Sequence, residues 1–205
     1  MDEKMKSETR QNINILVGKK KDYDKIPSKE SRERRDFIKK NQNDIKQAYG
    51  KLINLCIKDM NNTPMLSLDI EEYIKPEGIC EGIAIGIGFL DALKKTQLRK
   101  FFDQIKDLEH RLKSKKSNED LSNEDLNKIK IEVLALIPKL AYSKGRDLID
   151  DEFYNFMKAL LLRLKNDMNE KDDKEDVFEK FVNILESVLA YYTYHFPSLS
   201  KGGTT

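Results

Sequence analysis

Two histidines, two cysteines and no tryptophan in 205 residues leave little material for several common chemistries. Cys56 and Cys80 are the only thiols, and neither stands in a spacing used by zinc sites or redox pairs. Both are read as small buried hydrophobes. His110 and His195 lie eighty-five residues apart, with no nucleophile or carboxylate at a spacing that suggests a catalytic pair. Surface or core-edge positions are expected for them. The longest apolar stretch, Ile79 to Leu93, is interrupted by Glu81 and Asp91 and falls short of the roughly 20 residues a membrane span needs. The opening MDEKMKSETR lacks the apolar core of a signal peptide. The expectation is a soluble, cytoplasmic protein with no membrane partner, no catalytic centre, no metal and no cofactor.

Charge is what the chain has in abundance. Charged residues make up 36% of it against 39% hydrophobic, well above the roughly 25% charge of an average globular chain. The net of +2 conceals alternating blocks. Residues 1–65 hold sixteen Lys/Arg against ten Asp/Glu, and residues 66–93 hold one against six. Residues 94–116 hold nine against three, residues 138–146 carry Lys139, Lys144 and Arg146 with no acid, and residues 147–186 hold six against twelve. A fold that sets 94–116 beside 138–146 would merge two basic blocks into one positive face, a footprint suited to phosphates. Taken alone, each charge run reads first as a solvated helix face.

Hydrophobic spacing predicts an all-α protein. Residues 1 to about 29 are polar and without period, which reads as a mobile arm ending near Pro27. From Ser31 to Met60, the residues Ile38, Ile45, Tyr49, Leu52 and Cys56 recur at helical spacing. Asn61 to Pro64 end that helix, and a short amphipathic piece with Ile70, Tyr73 and Ile74 is cut off by Pro76 and Gly78. The segment GICEGIAIGIGFLDAL alternates Ile83, Ile85 and Ile87 as a strand would, yet Gly78, Gly82 and Gly86 would form one flat stripe on a helix. Helix is preferred, because no other segment offers a strand partner. Four helices follow, carried by Leu98 to Leu112, Leu126 to Leu140, Phe153 to Leu164 and Val177 to Tyr192. Thr96, Ser122 and the Asp150 cluster are placed to cap three of them, Pro138 should kink one, and Gly145 marks its end. The organisation expected is a basic N-terminal extension over 1–65 (arm plus helix), a compact bundle over 66–197 and a disordered tail over 198–205. Five to six helices are expected in all.

Phosphate recognition is the best-supported chemistry. Gly86-Ile87-Gly88 lacks the third glycine and the preceding strand of a dinucleotide loop. Asp150-Asp151-Glu152 sits where a helix starts, so capping accounts for it better than a cation does. Lys94, Lys95, Arg99 and Lys100, in contrast, crowd a helix start, where unpaired N–H groups and the dipole already favour an anion. Arg99 can grip two phosphate oxygens, and Gln97 can add a neutral hydrogen bond. Lys139, Lys144 and Arg146 surround a second helix end. Tyr142 between them could stack on a base, although a core position is the commoner one for tyrosine.

These same blocks resemble a known family. Leu93-Lys94-Lys95-Thr96-Gln97-Leu98-Arg99 is similar to the L-T-T-S-Q-I-R-like cap of the small subunit of type III-A (Csm) CRISPR effector complexes, and Leu136 to Arg146 to its L-x-P-K-L-A-Y-A-x-G-R block. Val177 to Tyr192 is similar to its F-x-x-F-V-x-x-x-E-A-x-V-A-Y ending. Lys94, Lys95 and Lys144 depart from the family's small residues by adding charge. The resemblance implies a non-catalytic helical bundle in several copies, stacked along CRISPR RNA and target RNA beside the backbone subunits and the polymerase-like large subunit. Lys94, Lys95, Gln97, Arg99, Lys100, Lys139, Lys144 and Arg146 are the RNA-binding candidates. A helical adaptor that binds only protein, and the analogous type III-B small subunit, are the competing readings.

Overall fold

The computed structural model describes residues 1–93, 95–116, 122–168 and 174–197. Within them the chain forms eight α-helices: α1 (Glu3–Asp24), α2 (Ser31–Asn62), α3 (Ile70–Ile74), α4 (Ile79–Leu90), α5 (Lys95–Lys116), α6 (Asn123–Gly145), α7 (Asp151–Asp167) and α8 (Lys174–His195). A single turn of 3-10 helix at Met65–Ser67 joins α2 to α3. Among the described residues the only extended pairing is one antiparallel bridge between Leu93 and Ile149. None of these helices is long and apolar enough to cross a membrane.

The core is organised around α4. A helix that is apolar on every side has to be surrounded, and all of α4 except Gly88 and Leu90 is buried. Helices α1, α2 and α8 pack around it, α7 closes against α2, and α5 and α6 lie outside against α8 and α7. The glycines decide how close the neighbours come. A Cβ at Gly86 would stand 2.8 Å from Cγ of the fully buried Tyr49, and one at Gly82 would stand 2.8 Å from Cδ2 of Leu52. Both distances are inside carbon–carbon contact. The expected stripe is therefore half right. Gly82 and Gly86 admit α2, while Gly78 is the cap of α4, where a Cβ would meet the Lys75 carbonyl at 2.6 Å.

The expected mobile arm is a correction. Residues 3–24 form α1, which buries Met5, Thr9, Asn12, Ile13, Leu16, Val17 and Lys20 at helical spacing. Three of those positions are polar, so apolar periodicity alone does not reveal them. Asn12 donates to its own helix at the Glu8 carbonyl over 2.7 Å, and the buried Lys20 ammonium is ion-paired with Asp24. With α1 and the five-residue α3 counted, the expected five to six helices become eight. Hydrophobic residues of α1 and α2 join the same core cluster as those of α4 to α8.

Two of the three expected caps form. Ser122 accepts from the Asp125 N–H at 3.1 Å, and Asp150 from the Phe153 N–H at 2.7 Å. Thr96, expected to cap α5, instead lies within its first turn, because the helix already begins at Lys95. Helix α6 runs unbroken through Pro138 to Gly145. The residue that turns the chain there is Asp147, in the left-handed region at φ 53°. Its N–H reaches the Lys144 carbonyl (2.9 Å) and that of Leu148 reaches Ser143 (3.0 Å), so orphan carbonyls at the end of α6 are satisfied. The expected tail over 198–205 lies outside the described residues.

Candidate nucleic-acid interface

Two covalently distant basic blocks meet because α5 and α6 are tied together along their length. The Arg111 fork holds Glu132, with one arm at 2.9 Å, and Lys139 Nζ donates to Gln104 Oε1 at 2.7 Å. At the near end, the Leu93–Ile149 bridge and the Asp150 N–H bond to the Ala92 carbonyl (2.8 Å) fasten the entry to α5 against the α6–α7 junction. The start of α5 thus lies beside the end of α6.

A hollow of about 360 Å³ opens at this junction. Its floor is apolar, made by Leu93, Phe101, Leu140, Ile149 and Phe153, each no more than 9% exposed. Its rim is polar and cationic, with Lys100, Gln104, Lys139, Tyr142 and Ser143. Among the described residues no carboxylate lines it. Four other hollows on the surface all include acids, for example Asp103, Asp107 and Glu132 in the one farther along α5 and α6.

Arg99, Lys100, Lys139 and Arg146 are exposed, and none of them has an ion-pair partner among the described residues. Lys139, Tyr142 and Arg146 stand at i, i+3 and i+7, so they share one side of α6 and its end. Tyr142 is 66% exposed, which overturns its expected place in the core. Arg146 lies over its ring, 5.5 Å from the centroid, and donates from Nη1 to its hydroxyl at 3.3 Å. Lys144 differs from the other candidates. It pairs with Asp151 at 2.7 Å, sits 4.9 Å from the Tyr154 ring centroid, and the Asp151 hydrogen bond raises its pKa. Lys94 lies outside the described residues, as do the side chains of Lys95 and Gln97.

The positive face has an acidic border. Ile149 also lines a neighbouring hollow of about 310 Å³ that carries Asp91, Asp147, Asp150 and Glu152 with Lys46. Burial, helped by Glu152 and Asp151, pushes the Asp150 pKa up to about 6 against the pull of the Phe153 N–H. Asp150 caps α7 and Asp151 pairs with Lys144, so two members of the acidic run already have structural tasks. No group of three or more His, Cys, Asp or Glu among the described residues is arranged to hold a metal ion. His110 is exposed, while His195 Nε2 lies 2.7 Å from Glu81 Oε1, each side chain 10% exposed. That partner comes from α4 and was invisible to spacing. Gln104 and Ser143 were also missed at the hollow, although Gln104 follows Lys100 by four residues, one turn along the same side of α5.

A model of the family described as Csm2 Type III-A matches residues 79–198 of the chain. The match starts at the first residue of α4 and includes the whole α5–α6 interface, leaving α1 to α3 outside. No curated protein and no solved structure gives a significant match.

Proposed function

This chain belongs to the Csm2 Type III-A family and is a small subunit of a type III-A CRISPR complex, and we propose that it contributes RNA-backbone binding, not catalysis, to that complex. The observation that carries this reading is the hollow where the start of α5 meets the end of α6, lined by no carboxylate among the described residues, with Lys100 and Lys139 on its rim and Arg146 beside Tyr142. Unpaired, exposed cations contribute to phosphate binding without first breaking an internal salt bridge. Arg99 and Arg146 supply planar forks that suit phosphate oxygens, while Lys100 and Lys139 act as point charges. Lys94, Lys95 and Gln97 belong to the same proposed face by sequence. Lys144 contributes less, since its charge is already shared with Asp151. Guide and target RNA of the complex are the proposed ligands, the Csm backbone subunits, the large subunit and further copies of the chain the proposed protein partners, and antiviral defence in the cytoplasm the proposed setting.

The test is a reconstituted type III-A complex carrying Arg99→Glu, Lys139→Glu and Arg146→Glu together. All three side chains are exposed, so the fold and the incorporation of the subunit should persist. Retention of target RNA should fall at least tenfold at 150 mM salt, as expected when several phosphate contacts turn repulsive. Normal incorporation with unchanged RNA retention would favour a purely protein-binding adaptor.

A further inference from the structure

We propose that the hollow between α5, α6 and α7 receives one unstacked nucleobase of the bound single-stranded RNA, with Tyr142 as its stacking platform. This rests on the backbone-binding reading above and goes beyond it. Contacts to phosphates alone need only exposed charge, which a flat or convex helix face supplies. The junction offers more than that. Its apolar floor includes the rings of Phe101 and Phe153, 9% and 2% exposed, and the depression measures about 360 Å³. Such a volume lies in the lower part of the roughly 300–1,000 Å³ typical of small-ligand sites.

The rim matches the periphery of a base. Gln104 brings an amide whose Oε1 accepts from Lys139 Nζ at 2.7 Å and whose Nε2 donates to the Lys100 carbonyl at 3.2 Å, Ser143 and Tyr142 bring hydroxyls, and Lys139 and Lys100 bring ammonium donors. Each heterocycle carries donors and acceptors at its edge and a π-face above and below, so a mixed rim over an apolar floor accepts one without leaving either unpaired. The cations on the same rim complement the phosphates that must flank an inserted base. Among the described residues no carboxylate opposes them within the hollow.

Tyr142 supplies the second part of the argument. An aromatic ring left 66% exposed beside an apolar depression is poorly used by the fold itself. It is nevertheless steadied by Arg146, whose guanidinium lies over the ring at 5.5 Å and donates to the hydroxyl at 3.3 Å. A ring held in place loses less freedom on stacking than one that rotates freely. An aliphatic protein side chain would fill the floor but bring no charge to complement Lys100 and Lys139 on the rim, whereas a nucleotide supplies both.

The experiment compares two ten-unit ligands of equal charge, decauridylate and its abasic ribose-phosphate counterpart, binding to the full chain in low salt by fluorescence anisotropy. Stacking of one base is worth about 1 kcal/mol or more, so the abasic strand should bind at least about fivefold more weakly. Tyr142→Ala, at an exposed position that leaves the core intact, should weaken decauridylate binding and erase most of that difference. Tyr142→Phe should retain it, and Lys139→Gln should weaken both ligands. Equal binding of the two strands by the wild-type chain, with Lys139→Gln weakening both, would overturn the base site while leaving the backbone reading in place. Binding of neither strand would overturn both.

Discussion

Replacing Gly86 by alanine isolates the close packing of α4 on α2. In a free helix the change is favourable, because alanine has the higher helix propensity by about 1 kcal/mol. Here the new methyl would stand 2.8 Å from Tyr49 Cγ and 3.1 Å from Tyr49 Cβ, against an ordinary carbon–carbon contact of about 3.5–4.0 Å. Tyr49 is fully buried, so its ring has no open space into which to retreat. Overpacking of a dense core costs about 1–3 kcal/mol; with contacts this short against a buried ring the upper half of that range, about 2–3 kcal/mol, applies, and with the propensity gain subtracted the net loss should be about 1–2 kcal/mol. Gly18 in α1 is the control. Nothing lies within 4 Å of its would-be Cβ, so Gly18→Ala should stabilise by about 0.5–1 kcal/mol. Urea denaturation reads both values, and a Tyr49→Leu background should remove most of the Gly86→Ala penalty through a double-mutant cycle. A Gly86→Ala variant as stable as the wild type, or more so, would refute the close approach of these helices.

The remaining predictions concern α1 and the acidic border. Removal of residues 1–24 strips Met5, Ile13, Leu16 and Val17 from the core. At roughly 1.5–3 kcal/mol per buried side chain this approaches the whole stability of a domain, so circular dichroism should show the truncated chain unfolded or loosely collapsed, not merely shortened. For Asp150, a pKa of about 6 in the folded chain exceeds the roughly 3.9 of the unfolded one. The native state therefore binds more protons between those values, and this group's contribution to stability declines as pH rises from about 4 to 6. Asp150→Asn keeps the cap of α7 and removes the charge, so at pH 7.5 it should stabilise by about 1 kcal/mol, a figure reduced for the side chain's partial solvent access. That gain should vanish near pH 4, and a gain independent of pH in urea titrations would contradict the assignment.

Helices whose stripes are purely apolar were legible from spacing alone. Phe153, Phe156, Met157, Leu160 and Leu164 announce α7, and Ser122 and Asp150 cap where their chemistry places them. Helix α1 escaped notice because Thr9, Asn12 and Lys20 occupy its inward face, each made tolerable by a partner such as Asp24 for the Lys20 ammonium. The site was half legible. That Lys139, Tyr142 and Arg146 share a side follows from their i, i+3, i+7 spacing, but the hollow they border is a tertiary product of the Leu93–Ile149 bridge and the Lys139–Gln104 bond. Sequence charge also overrated Lys144, since its pairing with Asp151 depends on the Asp147 turn that swings α7 back toward the end of α6.

The salt dependence of RNA binding tests the central claim most directly. If Arg99, Lys100, Lys139 and Arg146 each neutralise a phosphate, a plot of log affinity against log salt for single-stranded RNA should have a slope near −3, from about 0.7 per contact over four contacts. Substituting Lys139 and Arg146 together by glutamine should make that slope shallower by about 1.4. A slope that is unchanged in the double variant would contradict the assignment of the α5–α6 junction as the RNA-binding face.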